Sequence, residues 1–483
     1  MNTQIRRLGI VMLVLFSALF VQLNWLQIID ADDLNNHPAN SRGVVRDFTR
    51  PRGVIQTADG TIIAQSVPSN NAFKLQRQYP LGPLFAHITG YFSFTYGSEG
   101  AERQFNDALT GNVTKARFDP RELLVEKDKT ANVTLTVSRS LQELAAQQLG
   151  QRKGSVVALD PRTGAILALA DYPTYDPNTL ASHDQDAVRE TWAALNADVT
   201  KPLLPRTFRE RYPPGSSFKV VTTAVALATG TATPAQPVFP TLRELPLPNT
   251  GGQTLANFGG GTCGGPLPEA LRVSCNTAFA QLGLDITAQK LSPGAHAFGF
   301  NKTPPIDLPY AAESYFPPAG EFSRDLPGLA KSAIGQQDVA ATPLQMALVA
   351  AAIANNGTVM KPHVLAEVRN AEGEVIQRYN PEPWLNAVPP DVARATRDMM
   401  VGVVQGGSGT RAQVPGVAVA GKTGTAQTGL DKSHVWFIAF APAEAPRVAV
   451  AVMLEDQPSS NEFTGGALAA PIAQAMIRAA LGS

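Results

Sequence analysis

Residues 213–228 place a helix breaker directly before an apolar run that carries a serine and a lysine at its start. The segment begins Pro213-Pro-Gly-Ser216-Ser-Phe-Lys219 and continues Val-Val-Thr-Thr-Ala-Val-Ala-Leu-Ala. Pro-Pro-Gly ends any preceding element, so a helix is predicted from Ser216 to Ala228. Ser216 and Lys219 are at i and i+3 and therefore share one helix face, whereas Ser217 points elsewhere. The sequence thus predicts a hydroxyl and an amine side by side at the start of a helix.

A serine hydroxyl becomes a useful nucleophile only when a base lies within hydrogen-bond reach. The backbone N–H groups and the dipole of a helix N-terminus favour an anion and disfavour a protonated amine. Burial would lower the pKa of Lys219 in the same direction, so that this amine could accept the proton of Ser216. The alternative is a capping serine beside a surface lysine, since a Ser-x-x-Lys match is expected about once by chance in a chain of this length.

A second candidate segment is Ser274-Cys-Asn276, which precedes the apolar run Thr277-Ala-Phe-Ala-Gln-Leu. Ser274 and Asn276 alternate along the chain and can face one cleft, while the middle residue, Cys275, points away from it. A hydroxyl can relay a proton, and an amide side chain can both donate to and accept from a peptide substrate. Taken alone, the segment is more typical of an ordinary turn before a helix.

A third segment, Lys422-Thr-Gly424-Thr425, lies between apolar runs and is predicted to form part of a β-strand. A glycine inside a strand usually marks a bulge or the close approach of another backbone, and an extended peptide substrate could be that backbone. Lys422 would attract a substrate carboxylate, and Thr423 and Thr425 could bind it through their hydroxyls. A main-chain N–H near Thr425 could share an oxyanion with that of Ser216. The alternative is a plain edge strand.

The three segments, in this order, resemble the motif set of the penicillin-binding proteins and serine β-lactamases, which is S-x-x-K, S-D-N and K-T-G. Cys275 departs from the middle position of the second motif. Further similarity, to the class B, monofunctional transpeptidases, lies in Arg52-Gly-Val-Ile, Gly97-Ser-Glu-Gly100-Ala-Glu102, Ala158-Leu-Asp-Pro-Arg-Thr-Gly164, Ile334-Gly-Gln and Thr342-Pro-Leu-Gln-Met-Ala. The similarity runs from about residue 42 to residue 456.

The resemblance implies a D,D-transpeptidase that cross-links peptidoglycan stem peptides and is acylated by β-lactam antibiotics. It implies that Ser216 attacks the carbonyl between two terminal D-alanines, with Lys219 as base and no cofactor. The proton relay would consist of Ser274 and Lys422. The substrate would be bound by Asn276, Thr423, Gly424 and Thr425.

Two other kinds of function stay open at this point. A D,D-carboxypeptidase or a β-lactamase would form the same acyl-enzyme but would need a second positioned base to activate water. A non-catalytic β-lactam sensor or scaffold would use the domain only for binding. Such a sensor would be expected to carry a longer cytoplasmic portion than residues 1–7, which precede the first apolar stretch.

The first 30 residues predict a membrane anchor. Arg6-Arg7 precedes the apolar stretch 8–29, which is long enough to cross a bilayer once. Three aspartates follow it, at Asp30, Asp32 and Asp33. Positive charge before the span and acid after it predict an N-terminus inside the cytoplasm and the rest of the chain outside it. A cleaved signal peptide is the alternative, but no Ala-x-Ala site follows at the right distance.

Composition narrows the possible partners. Lys and Arg together number 40, as do Asp and Glu, so the formal net charge is zero and no basic excess attracts nucleic acid. The six histidines show no ligand spacing with cysteines or acids, so no metal site is expected. With 44% hydrophobic residues, the chain can build large cores.

Cys263 and Cys275 are the two cysteines of the chain, and they are predicted to lie on the side of the membrane where disulfides persist. A bond between them is expected, and an unstrained loop of this length would gain about 3 kcal/mol. It would tether the glycine-rich segment 259–265 to the loop of Ser274 and Asn276. Two buried free thiols are the alternative.

Three regions are predicted along the chain: a cytoplasmic stub and transmembrane anchor at 1–30, a β-rich N-terminal domain at 31–140, and a transpeptidase domain at 141–483. The N-terminal domain opens with a hairpin in which Asp59-Gly60 predicts a type I′ turn. It is too short for the glycosyltransferase module of class A relatives and resembles the pedestal, or dimerisation, domain of class B. That resemblance implies contacts with a membrane-embedded glycan polymerase and other cell-wall assembly proteins.

The predicted fold class is α+β and sandwich-like, with a central antiparallel sheet of about five strands and an all-helical lobe. Both chain ends would build the sheet, from strands at 155–159, 165–170, 417–426, 435–441 and 448–454. Helices at 141–149 and 467–481 would accompany it, and helices at 216–228 and 343–355 would belong to the lobe. The site would lie at the junction of sheet and lobe. Gly406-Gly-Ser-Gly409 is predicted to be a plain turn.

Overall fold

A five-stranded antiparallel sheet forms the centre of the molecule in the computed structural model, which describes residues 2–26, 48–71, 73–111, 130–429, 431–460 and 462–482. Its strands in spatial order are Ala420–Gln427, Lys432–Ala441, Val448–Pro458, Gly154–Leu159 and Ile166–Tyr172. Because strand 448–458 pairs with strand 154–159, the two ends of the catalytic region meet in one sheet, as predicted.

Helices cover both faces of this central sheet, which explains why its strands are apolar almost throughout. One face packs against Arg139–Leu149 and Ala470–Leu481. The other packs against Pro343–Ala354, a helix in which every residue is buried. A helix that is apolar all round is stable only when protein surrounds it. Thr342 caps it, since its hydroxyl accepts a hydrogen bond from Gln345 N at 3.1 Å.

The helical lobe includes this buried helix, which contacts Pro390–Gly406. Its other helices are Lys219–Ala228, Leu267–Arg272, Asn276–Ile286, Ala288–Ala297, Leu326–Ser332 and Pro390–Gly406. Further helices lie at Pro177–Leu180, Gln185–Ala197 and Arg206–Arg209. The predicted helix from Ser216 begins instead as a 3-10 turn at Gly215–Phe218 and becomes α-helical at Lys219. The predicted fold class is confirmed.

The pedestal is organised around a six-stranded sheet. Its strands in spatial order are Val375–Arg378, Leu365–Arg369, Asn132–Leu135, Ile55–Gln56, Ile62–Pro68 and Leu75–Gln78. Short helices at Ala86–Thr89, Gly100–Gln104 and Asn106–Leu109 accompany it. Two of the six strands form a hairpin, 365–378, that lies far along the chain, within the predicted transpeptidase region. The pedestal and the catalytic region are therefore joined by a shared sheet as well as by the chain.

The hairpin that opens the pedestal does not use the predicted type I′ turn. That turn requires a positive φ at both central residues, but of Asp59 and Gly60 only Gly60 is left-handed, with φ of 78°. Thr57 N donates to Thr61 O at 2.9 Å, and Gly60 N donates to Thr57 O at 3.0 Å. The connection is thus a three-residue loop with glycine in the left-handed position. The Thr57 hydroxyl donates to the Asp59 carboxylate and stabilises this longer loop.

A buried ion cluster holds the pedestal together. Arg52 Nε and Arg77 Nε each lie 2.6 Å from a different carboxylate oxygen of Glu102, whose side chain is fully buried. Arg77 also donates to Gly53 O at 2.9 Å. Burial alone would raise the pKa of Glu102, but the two guanidinium groups reverse this and hold the pKa below its ordinary value. Two of the resemblance motifs, those at 52 and 102, therefore meet in one structural cluster.

Gln142 joins the pedestal to the edge of the central sheet. Its side-chain amide donates to Leu169 O at 2.7 Å and to Leu84 O at 3.0 Å. Its carbonyl accepts from Leu169 N at 2.9 Å. Leu169 lies on an edge strand, so Gln142 satisfies backbone groups that the edge would leave open. The same side chain fixes the position of the pedestal.

The N-terminal helix, Asn2–Asn24, is long and apolar enough to cross a membrane, with the candidate span at Thr3–Asn24. The end of the predicted stretch 8–29 and the aspartates at 30, 32 and 33 lie outside the described residues.

Replacing Glu102 with Gln should destabilise the fold by about 3 kcal/mol, because two buried guanidinium groups would lose their counter-charge. Urea unfolding of the full chain in detergent, followed by tryptophan fluorescence, measures this. Glu143→Gln is the matched control, since its ion pair with Arg139 is about half exposed and screened by solvent, so its loss should leave the free energy of unfolding nearly unchanged.

The stability difference between wild type and Glu102→Gln should depend on pH. Because the folded pKa of Glu102 lies below its unfolded value of about 4.3, its contribution is fully present above that value. The contribution is lost as pH falls through the folded pKa. A difference that stays constant from neutral pH into the acid range would contradict this assignment.

Candidate active site

The nucleophile turn, Gly215–Phe218, lies against the motif strand, Ala420–Gln427. Gly215 has φ of 52°, and a Cβ at this position would lie 2.6 Å from Thr425 O. Its N–H donates to Gly335 O at 2.9 Å on the opposite side. A glycine is required here both by the left-handed backbone and by the close approach of the strand. The turn is thereby fixed between the central sheet and the helical lobe, where the site was predicted.

Gly424 has the close backbone approach that the sequence predicts, and a segment of the protein itself supplies it. A Cβ at Gly424 would lie 2.8 Å from Pro214 O and 2.8 Å from Trp436 Cβ. The approaching backbone is therefore that of the nucleophile turn itself. Trp436 Nε1 donates to Pro213 O at 2.9 Å and holds the same segment from the neighbouring strand.

The two serines of the nucleophile turn have different surroundings. Ser217 is buried, and its hydroxyl donates to Pro214 O at 2.7 Å. Ser216 is partly exposed and lines the cleft. Its hydroxyl has no hydrogen-bond partner among the residues that the structure describes, so it is free to meet a substrate. In a 3-10 turn, residues i and i+3 are eclipsed, which places Ser216 on the same side as Lys219.

Lys219 is fully buried, and its amine is held by the second motif. Nζ donates to Ser274 O at 2.7 Å and to Asn276 Oδ1 at 2.8 Å, with Ser274 Oγ at 3.4 Å. Burial, and after it the nearby charge of Lys422, lower the pKa of Lys219 well below its ordinary value. A neutral amine at this position can accept a proton.

Lys422 approaches Ser274 from the other side. Its Nζ donates to Ser274 Oγ at 2.8 Å and to Thr423 O at 2.9 Å. Burial lowers the pKa of Lys422 to about 7. The hydroxyl of Ser274 therefore lies between two buried amines. Ser274 has φ of 62°, a backbone conformation that is uncommon for residues other than glycine and that clusters at functional sites.

Thr423 has a neighbour that the sequence did not reveal as part of the site. Its hydroxyl lies 2.7 Å from that of Ser408, and both line the cleft. The glycine-rich turn at 406–409 was predicted only as a plain turn. It reaches the site because Ser408 N donates to Arg272 O at 3.1 Å, next to the second motif. A single hydroxyl flanked by glycines was the available signal, and it is too common to be specific.

The cleft around these groups has a volume of about 760 Å³. Thr425 and Gln427 continue the lining along the motif strand. Most of the polar groups that the structure describes in the lining are hydroxyls and amides, namely Ser216, Thr254, Asn257, Thr262, Ser274, Asn276, Gln336, Ser408, Thr423, Thr425, Gln427, Ser459, Ser460 and Thr464. Lys331 adds a charged side chain. Hydroxyl and amide groups of this kind can donate to and accept from the backbone of an extended peptide.

A flap, residues 239–265, covers one side of the cleft. It consists of two small sheets, Phe239–Leu242 with Cys263–Gly265 and Glu244–Pro246 with Thr254–Ala256. Cys263 and Cys275 are joined by a disulfide with a Cα–Cα distance of 5.7 Å. Cys275 is buried, so the middle side chain of the second motif points away from the cleft. The bond ties the end of the flap to the loop of Ser274 and Asn276.

Two family models match the chain. The penicillin binding protein transpeptidase domain matches residues 154–478, and the penicillin binding protein A dimerisation domain matches residues 52–133. The peptidoglycan D,D-transpeptidase PbpA of Mycolicibacterium smegmatis is 41% identical over 497 residues, which cover 100% of this chain and 99% of that one. PbpA of Mycobacterium tuberculosis is 40% identical over 498 residues, with the same coverage.

Solved structures give the same result. The ceftriaxone acyl-enzyme complex of penicillin-binding protein A from M. tuberculosis superposes with a TM-score of 0.84 at 39% identity, covering 90% of this chain and 100% of that one. A D,D-transpeptidase domain from Eggerthella lenta superposes with a TM-score of 0.79 at 36% identity, covering 90% and 99%. The predicted resemblance to class B penicillin-binding proteins, and among them to the actinobacterial penicillin-binding protein A, is confirmed.

Gly424→Ala should slow β-lactam acylation by about two orders of magnitude, because the new methyl group would displace the nucleophile turn by a fraction of an ångström to an ångström. Stopped-flow acylation with a fluorescent penicillin measures this. Gly402→Ala is the matched control: Gly402 lies in the helix Pro390–Gly406, and a Cβ there meets no atom within 4 Å. Equal acylation rates in the two variants would show that the contact between strand and turn is unimportant.

Proposed function

The chain belongs to the class B penicillin-binding proteins, and we propose that it is a peptidoglycan D,D-transpeptidase that works through an acyl-enzyme on Ser216. The observation that carries this proposal is the position of the Ser274 hydroxyl, within hydrogen-bond reach of the amines of both Lys219 and Lys422. Three motifs that are far apart in sequence thereby form one proton-transfer network beside a free serine hydroxyl. An acyl transfer at a serine needs such a network.

In the first half-reaction, Ser216 Oγ attacks the carbonyl carbon between the two terminal D-alanines of a stem peptide, and Lys219 accepts the hydroxyl proton. The backbone N–H groups of Ser216 and Thr425 face the oxyanion of the tetrahedral intermediate. When the intermediate collapses, the C–N bond breaks and the terminal D-alanine leaves as an amine. Its nitrogen receives a proton through Ser274 and Lys422.

In the second half-reaction, an amine from a neighbouring stem peptide attacks the ester carbonyl. Its proton passes to the same network, and the C–O bond to Ser216 breaks, so that the hydroxyl is restored and a new amide cross-link forms. Asn276 binds the donor backbone, and Thr423, Gly424 and Thr425 lie along the substrate. A β-lactam presents its ring amide to the same groups and remains attached to Ser216.

The N-terminal helix anchors the protein in the membrane as a single span, and the catalytic region lies outside the cytoplasm. This orientation places the cleft in the compartment of its substrate and fits the disulfide at Cys263 and Cys275. The pedestal would contact a membrane-embedded glycan polymerase and other cell-wall assembly proteins. This part of the proposal is supported by the family relationship. It is also supported by the order along the chain, in which the pedestal lies between the anchor and the catalytic region.

Ser216→Ala should abolish labelling by a fluorescent penicillin and release of D-alanine from a donor stem peptide, because no other hydroxyl replaces the nucleophile. Ser217→Ala is the matched control and should retain labelling, since its hydroxyl is buried and bonded to Pro214.

The lifetime of the label separates the remaining alternatives. A transpeptidase should keep the penicillin bound for many minutes and should transfer the donor to an added amine. Rapid turnover of the drug would indicate a β-lactamase, and release of D-alanine without transfer would indicate a carboxypeptidase. No labelling of the wild type would contradict the proposal and favour a scaffold.

Acylation should rise with increasing pH and level off well below pH 10.5, the ordinary pKa of lysine. The acylation rate rises with pH because Lys219 can accept a proton only when its amine is neutral. A lowered pKa means that the neutral amine forms at lower pH. Lys219→Arg should remove acylation at every pH, since a guanidinium group stays protonated. Rates of penicillin labelling between pH 5 and pH 10, measured on wild type and variant, test this. A labelling rate that still rises near pH 10 would contradict it.

A further inference from the structure

Asn257, in the flap, uses every hydrogen-bonding group of its side chain. Its Oδ1 accepts from Asn276 N at 2.9 Å and from Thr277 N at 3.0 Å. Its Nδ2 donates to Leu242 O at 2.8 Å and to Gly261 O at 3.2 Å. The residue is only 8% exposed. A buried amide that is satisfied in this way has one orientation, and it links the strand Phe239–Leu242 and the loop at Gly261 to the second motif.

The hydrogen bonds to Asn276 and Thr277 supply a helix cap from a distant segment. The helix Asn276–Ile286 begins after Cys275, whose side chain makes no capping hydrogen bond. The first N–H groups of a helix have no partner within the helix, and they need an acceptor when they are buried. Asn257 is that acceptor, although it lies 19 and 20 residues earlier in the chain. The start of this helix is therefore positioned by the flap.

Asn276 is held by the flap at two points. Besides its backbone N–H, its side-chain Nδ2 donates to Ala256 O at 3.1 Å. The remaining atom of that amide, Oδ1, accepts from Lys219 Nζ at 2.8 Å. Any movement of the Asn276 backbone would thus move the acceptor that holds the amine of Lys219.

We propose that Asn257 is a positioning residue for acylation, which fixes Asn276 and through it the amine of Lys219 beside Ser216. It acts without contact with the reacting atoms. The inference rests on the proposed function, because Lys219 is the base only if Ser216 is the nucleophile.

The disulfide makes this proposal testable in a folded protein. Cys263 and Cys275 tie the end of the flap to the second motif independently of Asn257. A substitution at 257 therefore removes the cap while the flap stays tethered.

Asn257→Ala should lower the acylation rate constant for a fluorescent penicillin by about tenfold or more, as expected when a catalytic group loses its position. Asp184→Ala is the matched control: Asp184 caps the helix Gln185–Ala197 by accepting from Asp186 N and Ala187 N, each at 3.1 Å. Both variants lose one cap, and Asn257→Ala, which also loses two hydrogen bonds to the flap, should show the larger fall in melting temperature. Only Asn257→Ala should slow acylation.

Asn257→Asp separates positioning from a purely structural role. It keeps the acceptor for Asn276 and Thr277 and loses the two donors to Leu242 O and Gly261 O, so acylation at high pH should recover in part relative to Asn257→Ala. Its negative charge, separated from the amine of Lys219 by Asn276, should also move the rise of the acylation rate to higher pH, because it favours the protonated amine. A merely structural cap would change the melting temperature and leave the acylation rate of both variants unchanged.

The inference is overturned if Asn257→Ala acylates within about twofold of wild type, or if Asp184→Ala slows acylation equally. It is also overturned if Asn257→Asp, which keeps the acceptor for Asn276 and Thr277, acylates no faster than Asn257→Ala. Wild type that takes no label at all would instead refute the proposed function, so the two failures are distinguishable.

Discussion

The rest of the structure has to hold two buried amines in place on either side of one hydroxyl. Lys219 and Lys422 both donate toward Ser274 Oγ, and both are removed from water. Like charges repel strongly in such a low-dielectric place, so the pair favours states in which at least one amine is neutral. A site built in this way holds a base without a histidine or a carboxylate. It requires that three distant segments be held to within a few tenths of an ångström.

The backbone meets this requirement through close packing of small residues. Gly215 and Gly424 bring the nucleophile turn and the motif strand so close that neither position has room for a Cβ. Protein interiors are dense and nearly incompressible, so such contacts transmit position with little loss. The buried helix Pro343–Ala354 supports the strands on one face, and the terminal helices support them on the other. The catalytic geometry therefore depends on the whole sandwich.

The parts of the structure that the sequence predicts well are those with a local signal. The five strands, the terminal helices and the grouping of Ser274 with Lys219 and Lys422 follow from apolar runs and from short motifs with fixed spacing. The roles assigned to those side chains stay predictions. The turn at Asp59 and Gly60 was wrong because the hydroxyl of Thr57 favours a longer loop over the common two-residue turn. The approach of Pro214 to Gly424 was not predicted, because Pro214 lies some 200 residues away in the chain. Ser408 and Asn257 were missed for the same reason, since their partners are set by tertiary contacts alone.

The pedestal sheet completes its edge with the hairpin 365–378, which the chain supplies only after it has built most of the helical lobe. The boundary between the pedestal and the transpeptidase region in the sequence therefore does not separate two units in space. A fragment cut near residue 141 would retain this hairpin but lose the strand at Asn132–Leu135 on which it pairs. Its unpaired backbone would then invite association with other chains. Exchange of pedestals between relatives, in evolution or in the laboratory, is constrained in the same way, because the hairpin and its host sheet must be inherited together.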